Sequence, residues 1–593
     1  MRKDIITVAV LLALIVVCFW PCLKASFLFW DDPIYLTDNL SVRSLTPGDI
    51  MRIFRSHVSG TYIPLSVLTY AVEFHFFGLK PFVYHLDNLL LHLVNISLIL
   101  FLGRRLGLGS RAAFFAALLF GIHPMHVEAV AWITSRKDLL YTFFFLSAMM
   151  GYWGWLDGRG RRYYFLSLAA ALLSMLAKPM ALSLPLVLIW LDWFRSRRWD
   201  KAAWLDKLPF FLIAIPIGWL TYRFHVRIPG TDLGSSMLTW IWCLAFYLKK
   251  FIWPYPCLAI YAIPENFSDP SFDLAVAIFI LFVGLLIVFR RQRLWIFAAG
   301  FFLLNIFYLL RFDTRQDLQI VSDRYMYLAS LGFCLLAGRF LGQGGHYFQK
   351  INRWPRRMSA LAGAFVLLAL GILSFRQCGL WADEPALWRH TIRFNPESVT
   401  YQKLGDSFFM KDQDEQARPY YEEALRLDPE NYEVMTNLAI IHAARWQLPK
   451  SLHYSNRAIA IAPDYSGAYI NRAVVFGKLG QMDKALGDLS KAIELDPGRV
   501  MAYINRGNVY MQLKWTQMAL QDYNQAIRLN PFATQAYFNR GLVHLRMGDL
   551  PGAEWDFRQA LRLDPGHDRA RNYLKNIRVH KKRFPLSPET SKK

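Results

Sequence analysis

Two adjacent acids, Asp31 and Asp32, stand in the phrase FLFWDDPIYLTDNL, directly after the first long apolar run. A carboxylate placed there can take a proton from a hydroxyl. Further polar groups lie at the ends of other apolar runs. They are TYIPLSVLTY with Tyr62; HPMHVEAVAWITSRKDLL with His123, His126, Glu128, Arg136 and Asp138; LAKPM with Lys178; and RFDTRQDLQIVSDRYMYL with Arg311, Asp323, Arg324 and Tyr325. Ionisable groups beside membrane spans are costly and commonly line a cavity or a site. Carboxylates and cations contributed by separate loops are what group transfer needs. One carboxylate deprotonates an incoming hydroxyl, and cations stabilise a leaving phosphate.

Each group also has a plainer reading. Asp31 can cap a helix, and Asp32 before Pro33 suits a turn or a helix start. His123 and His126 have the spacing of metal ligands, with Glu128 near, but Pro124 breaks the helix that would put both on one face. The reading therefore assigns no metal ligands and leaves a divalent metal open. Lys178 can snorkel to a membrane interface, and Arg324 can pair with the neighbouring Asp323.

The elements that must position these residues are membrane helices. The chain has 593 residues, 54% of them hydrophobic and 16% aromatic, with a net charge of +23. Most of that charge precedes residue 383, in short basic loops of the kind that stay on the cytoplasmic side. It calls for no nucleic-acid partner. Six scattered cysteines show neither zinc nor disulfide spacing. The N-terminal run MRKDIITVAVLLALIVVCFW reads as an uncleaved first span.

Apolar runs near 5–23, 85–103, 112–123, 138–156, 163–177, 179–194, 208–221, 273–289, 294–310, 325–341 and 358–375 are candidate spans. The stretch 237–253 is ambiguous, because Lys249 and Lys250 interrupt it before WPYPC. Placing every basic cluster inside, including that of Arg353, gives about eleven crossings if 237–253 is re-entrant. The acidic loop and everything after residue 376 then share the outer face. A full crossing at 237–253 would put the second half in the cytoplasm.

That second half is a repeat array. Pro429, Pro463, Pro497, Pro531 and Pro565 recur every 34 residues, the period of the tetratricopeptide (TPR) helix–turn–helix. Ala417, Ala485, Ala519 and Ala553 precede most of these prolines at one fixed distance, and Ala424, Ala458, Ala492, Ala526 and Ala560 at another. Small residues at those points let paired helices approach. Asn437, Asn471, Asn505 and Asn539 form a further column, with Lys403 in the equivalent place of the first unit. Such amides could bind the backbone of an extended acceptor peptide on the concave face, or stitch neighbouring repeats together. The organisation is all-α: a membrane domain over 1–376, a TPR α-solenoid with a linker helix and about five repeats over 377–579, and a basic tail over 580–593.

Taken in order, FLFWDDPIYLTDN, YIPLSVLTY, PFVYHLDNLLLH, HPMHVEAVAWITSRKDLL, LAKPM, SDRYMYLASLGF and WADEPALWRHTIRFNP resemble the transmembrane TPR-containing O-mannosyltransferases that target cadherins, and their bacterial relatives. The resemblance runs from about residue 27 to 570. It implies a GT-C fold and inverting transfer of a mannose-like hexose from a polyprenyl-phosphate-linked donor to Ser or Thr hydroxyls of a protein.

Asp31 and Asp32 would inherit the catalytic and acceptor-positioning roles. Arg136, Lys178 and Arg324, with His123 and His126, would meet the donor phosphate, and Tyr62, Glu128 and Asp138 would complete the site. The chain departs from the family pattern at Ser135 in place of Gly, at Pro179 in place of Glu, and at Ile63 in place of Arg. The implied partners are the polyprenyl-phosphate sugar, membrane lipid and an acceptor protein held by the TPR concave face. The implied location is a bacterial inner membrane with the solenoid periplasmic, or an endoplasmic-reticulum membrane with it luminal. The competing readings are a membrane-anchored TPR scaffold without catalysis, and a transferase acting on a lipid or glycan.

Overall fold

The computed structural model describes residues 2–224, 233–262, 264, 268–307, 320–342 and 356–583. Arg311, Arg353 and the tail from residue 584 lie outside the described residues. Regular structure within them is helical, apart from one isolated bridge between Val58 and Thr61. The chain divides into two compact units, Met1–Ser407 and Phe408–Lys593.

The division falls beyond the boundary expected at 376/377, and the contacts explain why. Helix Arg356–Ala382 runs past that point, and the next helix, Glu384–Phe394, is tied into the first unit. The carboxylate of Glu384 accepts from Phe29 N at 3.1 Å, Asn395 Nδ2 donates to Ile260 O at 3.4 Å, and Ala259 N donates to Thr391 Oγ1 at 3.4 Å.

In the first unit six described helices are long and apolar enough to cross a bilayer: Ile5–Lys24, Pro81–Arg105, Ile133–Leu156, Lys201–Phe224, Pro270–Val288 and Ala360–Ala382. Two bent pairs raise the number to eight if each is one span. Other segments expected to cross are shorter. Arg161–Ala177, for example, has 17 residues, which rise about 26 Å against a hydrocarbon core of about 30 Å.

The ambiguous stretch folds as helix Leu233–Ile252 and packs into a core with Phe302, Ile306 and Met326. Its two lysines part company. Lys249 is exposed, whereas Lys250 is buried with its Nζ 3.9 Å from Asp323 Oδ1.

The bent pairs position the chemistry. Pro124 supplies no N–H to the helix that ends at Ile122, and Ser110–Ile122 turns 55° into Pro124–Ala131. Asp323–Ala329 and Leu331–Gly342 meet at 64°. The two pairs pack through small residues: a Cβ on Gly338 would lie 2.5 Å from Ala116 N, and one on Gly342 2.5 Å from Ala112 Cα. Only glycine permits that approach, the small-residue packing that stands in for the hydrophobic effect inside a bilayer. His126 pins the bends together. Its Nδ1–H donates to Phe120 O at 2.6 Å, leaving Nε2 to accept from the Ser330 hydroxyl at 2.9 Å.

The second unit is a stack of helix pairs from Asp414–Leu427 to Asp568–Arg583. Every alanine of the two repeating columns is fully buried, so each marks a point of close helix approach. A ladder of ion pairs has the same period. Arg472 clasps Asp488, Arg506 clasps Asp522 and Arg540 clasps Asp556, each through Nε and Nη2 at 2.7–3.2 Å.

Candidate active site

Residues 25–28 run without regular structure into a turn at Phe29–Asp31, followed by a single helical turn at Pro33–Thr37. Asp32 is completely buried, and its Oδ2 accepts from Leu28 N at 2.8 Å, closing the loop upon itself. Its Oδ1 and the indole Nε1 of Trp132 are both buried without a hydrogen bond among the described residues, although the indole still draws the carboxyl toward its charged form. Burial dominates and pushes the Asp32 pKa up to about 7, with the charges of Asp31 and Glu384 adding to the rise and the Leu28 N–H opposing it. Asp31 is only half-buried.

Trp132 is the hub of the cluster. Trp30 stacks on it with ring centroids 4.6 Å apart, Trp381 stacks at 5.8 Å, and the guanidinium of Arg324 lies 5.1 Å from its ring. Arg324 is held by Glu128, whose carboxylate accepts from Arg324 Nη1, from Arg324 N at 2.9 Å and from Ser322 Oγ at 2.8 Å. Thus Arg324 pairs across the bends with Glu128. Its neighbour Asp323 accepts instead from the Tyr261 hydroxyl at 2.7 Å.

Lys178, at the break between helix Arg161–Ala177 and the next turn, donates to Asp138 Oδ1 at 2.5 Å, and its Nζ lies 5.3 Å from the Tyr325 ring. Tyr325 also stacks beneath Arg324 at 5.0 Å. Asp31, Asp32, Glu128, Asp138, Lys178 and Arg324 therefore belong to one continuous arrangement. Carboxylates and cations from separate loops are gathered there, the residue types that proton removal coupled to loss of a phosphate requires.

Other expected residues lie apart from it. Arg136 is fully buried in a network of its own: it donates to Glu73 Oε2, to Asn88 Oδ1 at 2.9 Å and to Tyr84 O at 2.9 Å, with Asp87 at 3.4 Å and the Tyr70 ring at 4.8 Å. His123 stacks on Phe251 at 5.0 Å and donates from Nε2 to Phe251 O at 3.0 Å. With His126 spent on Phe120 and Ser330, both imidazoles join helices. The Tyr62 hydroxyl donates to Phe54 O at 3.0 Å, and its ring faces Phe224 at 6.4 Å. No group of three His, Cys, Asp or Glu able to hold a metal occurs among the described residues.

Along the solenoid, Asn437 donates to the Tyr421 hydroxyl at 3.2 Å, Asn471 to Thr436 O at 3.3 Å, and Asn539 to Asn508 Oδ1 at 2.8 Å. The bonds of Asn471 and Asn539 reach back to the preceding repeat. Asn505 makes no hydrogen bond through its side chain among the described residues. Lys403 lies in the first unit and pairs with Asp406 at 3.4 Å.

The sequence reading passed over two residues of the cluster. Glu384 anchors Phe29 and adds its charge to that around Asp32. Lys137, between Arg136 and Asp138, places its Nζ 4.3 Å from the Tyr35 ring and within the electrostatic reach of Asp31, Asp138 and Arg324. The signal for Lys137 was its place in the Arg-Lys-Asp run. That for Glu384 was its presence in WADEPALW.

Tetratricopeptide repeat models match residues 403–466, 466–499, 500–532 and 534–567. Protein O-mannosyl-transferase Tmtc3 of Drosophila melanogaster is 25% identical over 526 residues, covering 70% of this chain and 54% of the fly protein. Protein O-mannosyl-transferase TMTC3 of Mus musculus is 37% identical over 155 residues, 24% of this chain and 16% of the mouse protein. The chain thus spans about half or less of the length of these curated relatives. A thermophilic TPR protein of Thermus thermophilus has a TM-score of 0.29 at 21% identity, covering 31% of this chain and 99% of that one.

Proposed function

We propose that this chain, a homologue of the transmembrane TPR protein O-mannosyl-transferases, moves a mannose-like hexose from a polyprenyl-phosphate donor to Ser or Thr hydroxyls of a protein. The observation that carries the reading is the gathering of the Asp31–Asp32 loop and Arg324 at Trp132, with Lys178 joined to Arg324 through the Tyr325 ring. The donor enters laterally from the bilayer, and its phosphate is met by cations of this cluster. The acceptor hydroxyl gives its proton to Asp31, the more exposed of the pair, as its oxygen attacks the anomeric carbon. The bond from that carbon to the phosphate oxygen breaks, and its electron pair leaves on polyprenyl phosphate. Attack opposite the leaving group inverts the anomeric centre, as in a GT-C-type enzyme. Asp32 holds the loop through the Leu28 N–H and shapes the field at Asp31.

The solenoid supplies the acceptor. Tethering a polypeptide to the chain that carries the transfer site raises the local concentration of hydroxyls without a strict sequence requirement. Asn505, with its amide unspent among the described residues, is the member of the column best able to bind peptide backbone. The working location is the inner membrane with the solenoid periplasmic, or the endoplasmic-reticulum membrane with it luminal.

The test is transfer of radiolabelled mannose from polyprenyl-phosphate mannose to a Ser/Thr-rich unfolded protein by the full chain in lipid nanodiscs. Asp31→Asn is expected to lower the rate about 100- to 10,000-fold, the worth of a positioned general base, with the chain still folded. Wild-type rates in both Asp31→Asn and Asp32→Asn would overturn the site. A wild-type chain inert toward every lipid-phosphate sugar would overturn the activity.

A further inference from the structure

The other cations expected at the site already have an anion. Lys178 is committed to Asp138, Arg324 to Glu128, and Arg136 to Glu73 and Asp87. Lys137 differs. Its ammonium rests 4.3 Å from the Tyr35 ring, and among the described residues no hydrogen bond or ion pair reaches it. An aromatic face attracts an ammonium but leaves its N–H donors unspent.

The backbone beneath Lys137 is fixed from both sides, because Arg136 is locked into the Glu73 network and Asp138 onto Lys178. Successive residues of a helix point about 100° apart, so Lys137 can join neither neighbour's partners. It is aimed instead at the loop that carries Asp31: Tyr35 N donates to Asp31 O at 3.1 Å, and the charges of Asp31, Asp138 and Arg324 all act on the Lys137 ammonium. The residue is half-buried and so remains open to a ligand.

We propose that Lys137, and not Arg136, is the cation that receives the phosphate of the lipid-linked donor. This rests on the reading of the protein as a glycosyltransferase. The donor phosphate is a diester with one negative charge. When the bond to the anomeric carbon breaks, the electron pair stays on the phosphate oxygen and a second charge develops, while the acceptor proton goes to Asp31. A preorganised ammonium beside that oxygen binds the donor and binds the departing phosphate more strongly still.

The experiment compares wild type, Lys137→Met, Lys137→Arg and Asp31→Asn in nanodiscs, measuring binding of polyprenyl phosphate and of uncharged polyprenol alongside transfer. Lys137→Met should weaken polyprenyl phosphate binding about 10- to 100-fold, the loss of one charge-assisted contact. It should leave polyprenol binding, the acceptor KM and the melting temperature unchanged. Lys137→Arg should restore most of the binding, and Asp31→Asn should bind the lipid yet transfer at only the strongly reduced rate expected of it above. Unchanged polyprenyl phosphate binding in folded Lys137→Met would overturn the proposal, as would equal losses for polyprenol. Lys137-dependent phosphate binding in a chain that transfers no sugar would sustain the site and refute only the transferase reading.

Discussion

The Glu128–Arg324 pair offers the sharpest test of how the site is held. Both side chains are at least nine-tenths buried, and one carboxylate serves the guanidinium, the Arg324 backbone N–H and the Ser322 hydroxyl. Glu128→Gln keeps the shape but removes the charge, stranding a desolvated guanidinium. Breaking one side of a buried pair costs about 3–5 kcal/mol, and Arg324→Gln strands the carboxylate to a similar degree. The double variant leaves no net charge in the pocket, so its loss should fall well short of the sum of the two singles, by about 2–3 kcal/mol of coupling. Chemical denaturation of the four proteins in detergent, followed by tryptophan fluorescence, measures this, because Trp132 lies beside Arg324. Additivity within about 0.5 kcal/mol would refute the clamp. Transfer should behave differently: the double variant regains stability but not activity, since the ion pair that braces the two bends behind the proposed site is gone. A double variant with wild-type activity would remove Arg324 from the mechanism.

Asp32 gives a pH signature. Its pKa in the fold, about 7, exceeds the unfolded value of about 3.9, so the folded state favours the protonated acid. The stability this provides is complete below about pH 4 and is lost as the pH rises to about 7, amounting to about 2–3 kcal/mol between pH 5 and pH 8. Asp32→Asn should abolish that slope in denaturation midpoints while keeping the Leu28 N–H acceptor; an unchanged slope would place the titration elsewhere. In the solenoid, Arg506→Met leaves Asp522 buried and unpaired, and should cost about 2 kcal/mol or more of local stability. Hydrogen exchange on the full chain reads this as faster opening of Val500–Gln512 and Thr516–Leu529 alone.

The solenoid was legible in the sequence because its packing is local: each alanine contacts the neighbouring helix of its own or the next repeat, so a 34-residue period survives in the text. The membrane half was legible in its apolar runs but not in its bends. That Glu128 and Arg324 meet depends on two helix breaks and on the approach of Gly338 and Gly342 to Ala116 and Ala112, contacts more than 200 residues apart in the chain. Arg136 shows the limit most plainly. By residue type it is the stronger phosphate ligand of the Arg-Lys-Asp run, yet its rotation on the helix faces it to Glu73 and Asn88. The amide column was visible by its period. Whether an amide was already spent, as for Asn471 on Thr436 O, depended on distances that no period encodes.

The way the charges are paired bears on how a buried site can carry a lipid phosphate. Glu128 with Arg324, and Asp138 with Lys178, are mutually neutralising and set by hydrogen bonds, so each offsets its own desolvation and neither needs substrate in order to persist. Such pairs orient dipoles but have little charge to give a newcomer. Asp31 and Lys137 share a field without touching. On the proposed mechanism, an arriving phosphodiester would bind the ammonium without breaking an existing salt bridge, and an arriving hydroxyl would meet the carboxylate on the same terms. Placing the unspent charges on the first loop and on the first turn of helix Arg136–Leu156, while the paired charges brace the bends behind them, separates the groups that hold the site from those that the proposed mechanism sets to work in it.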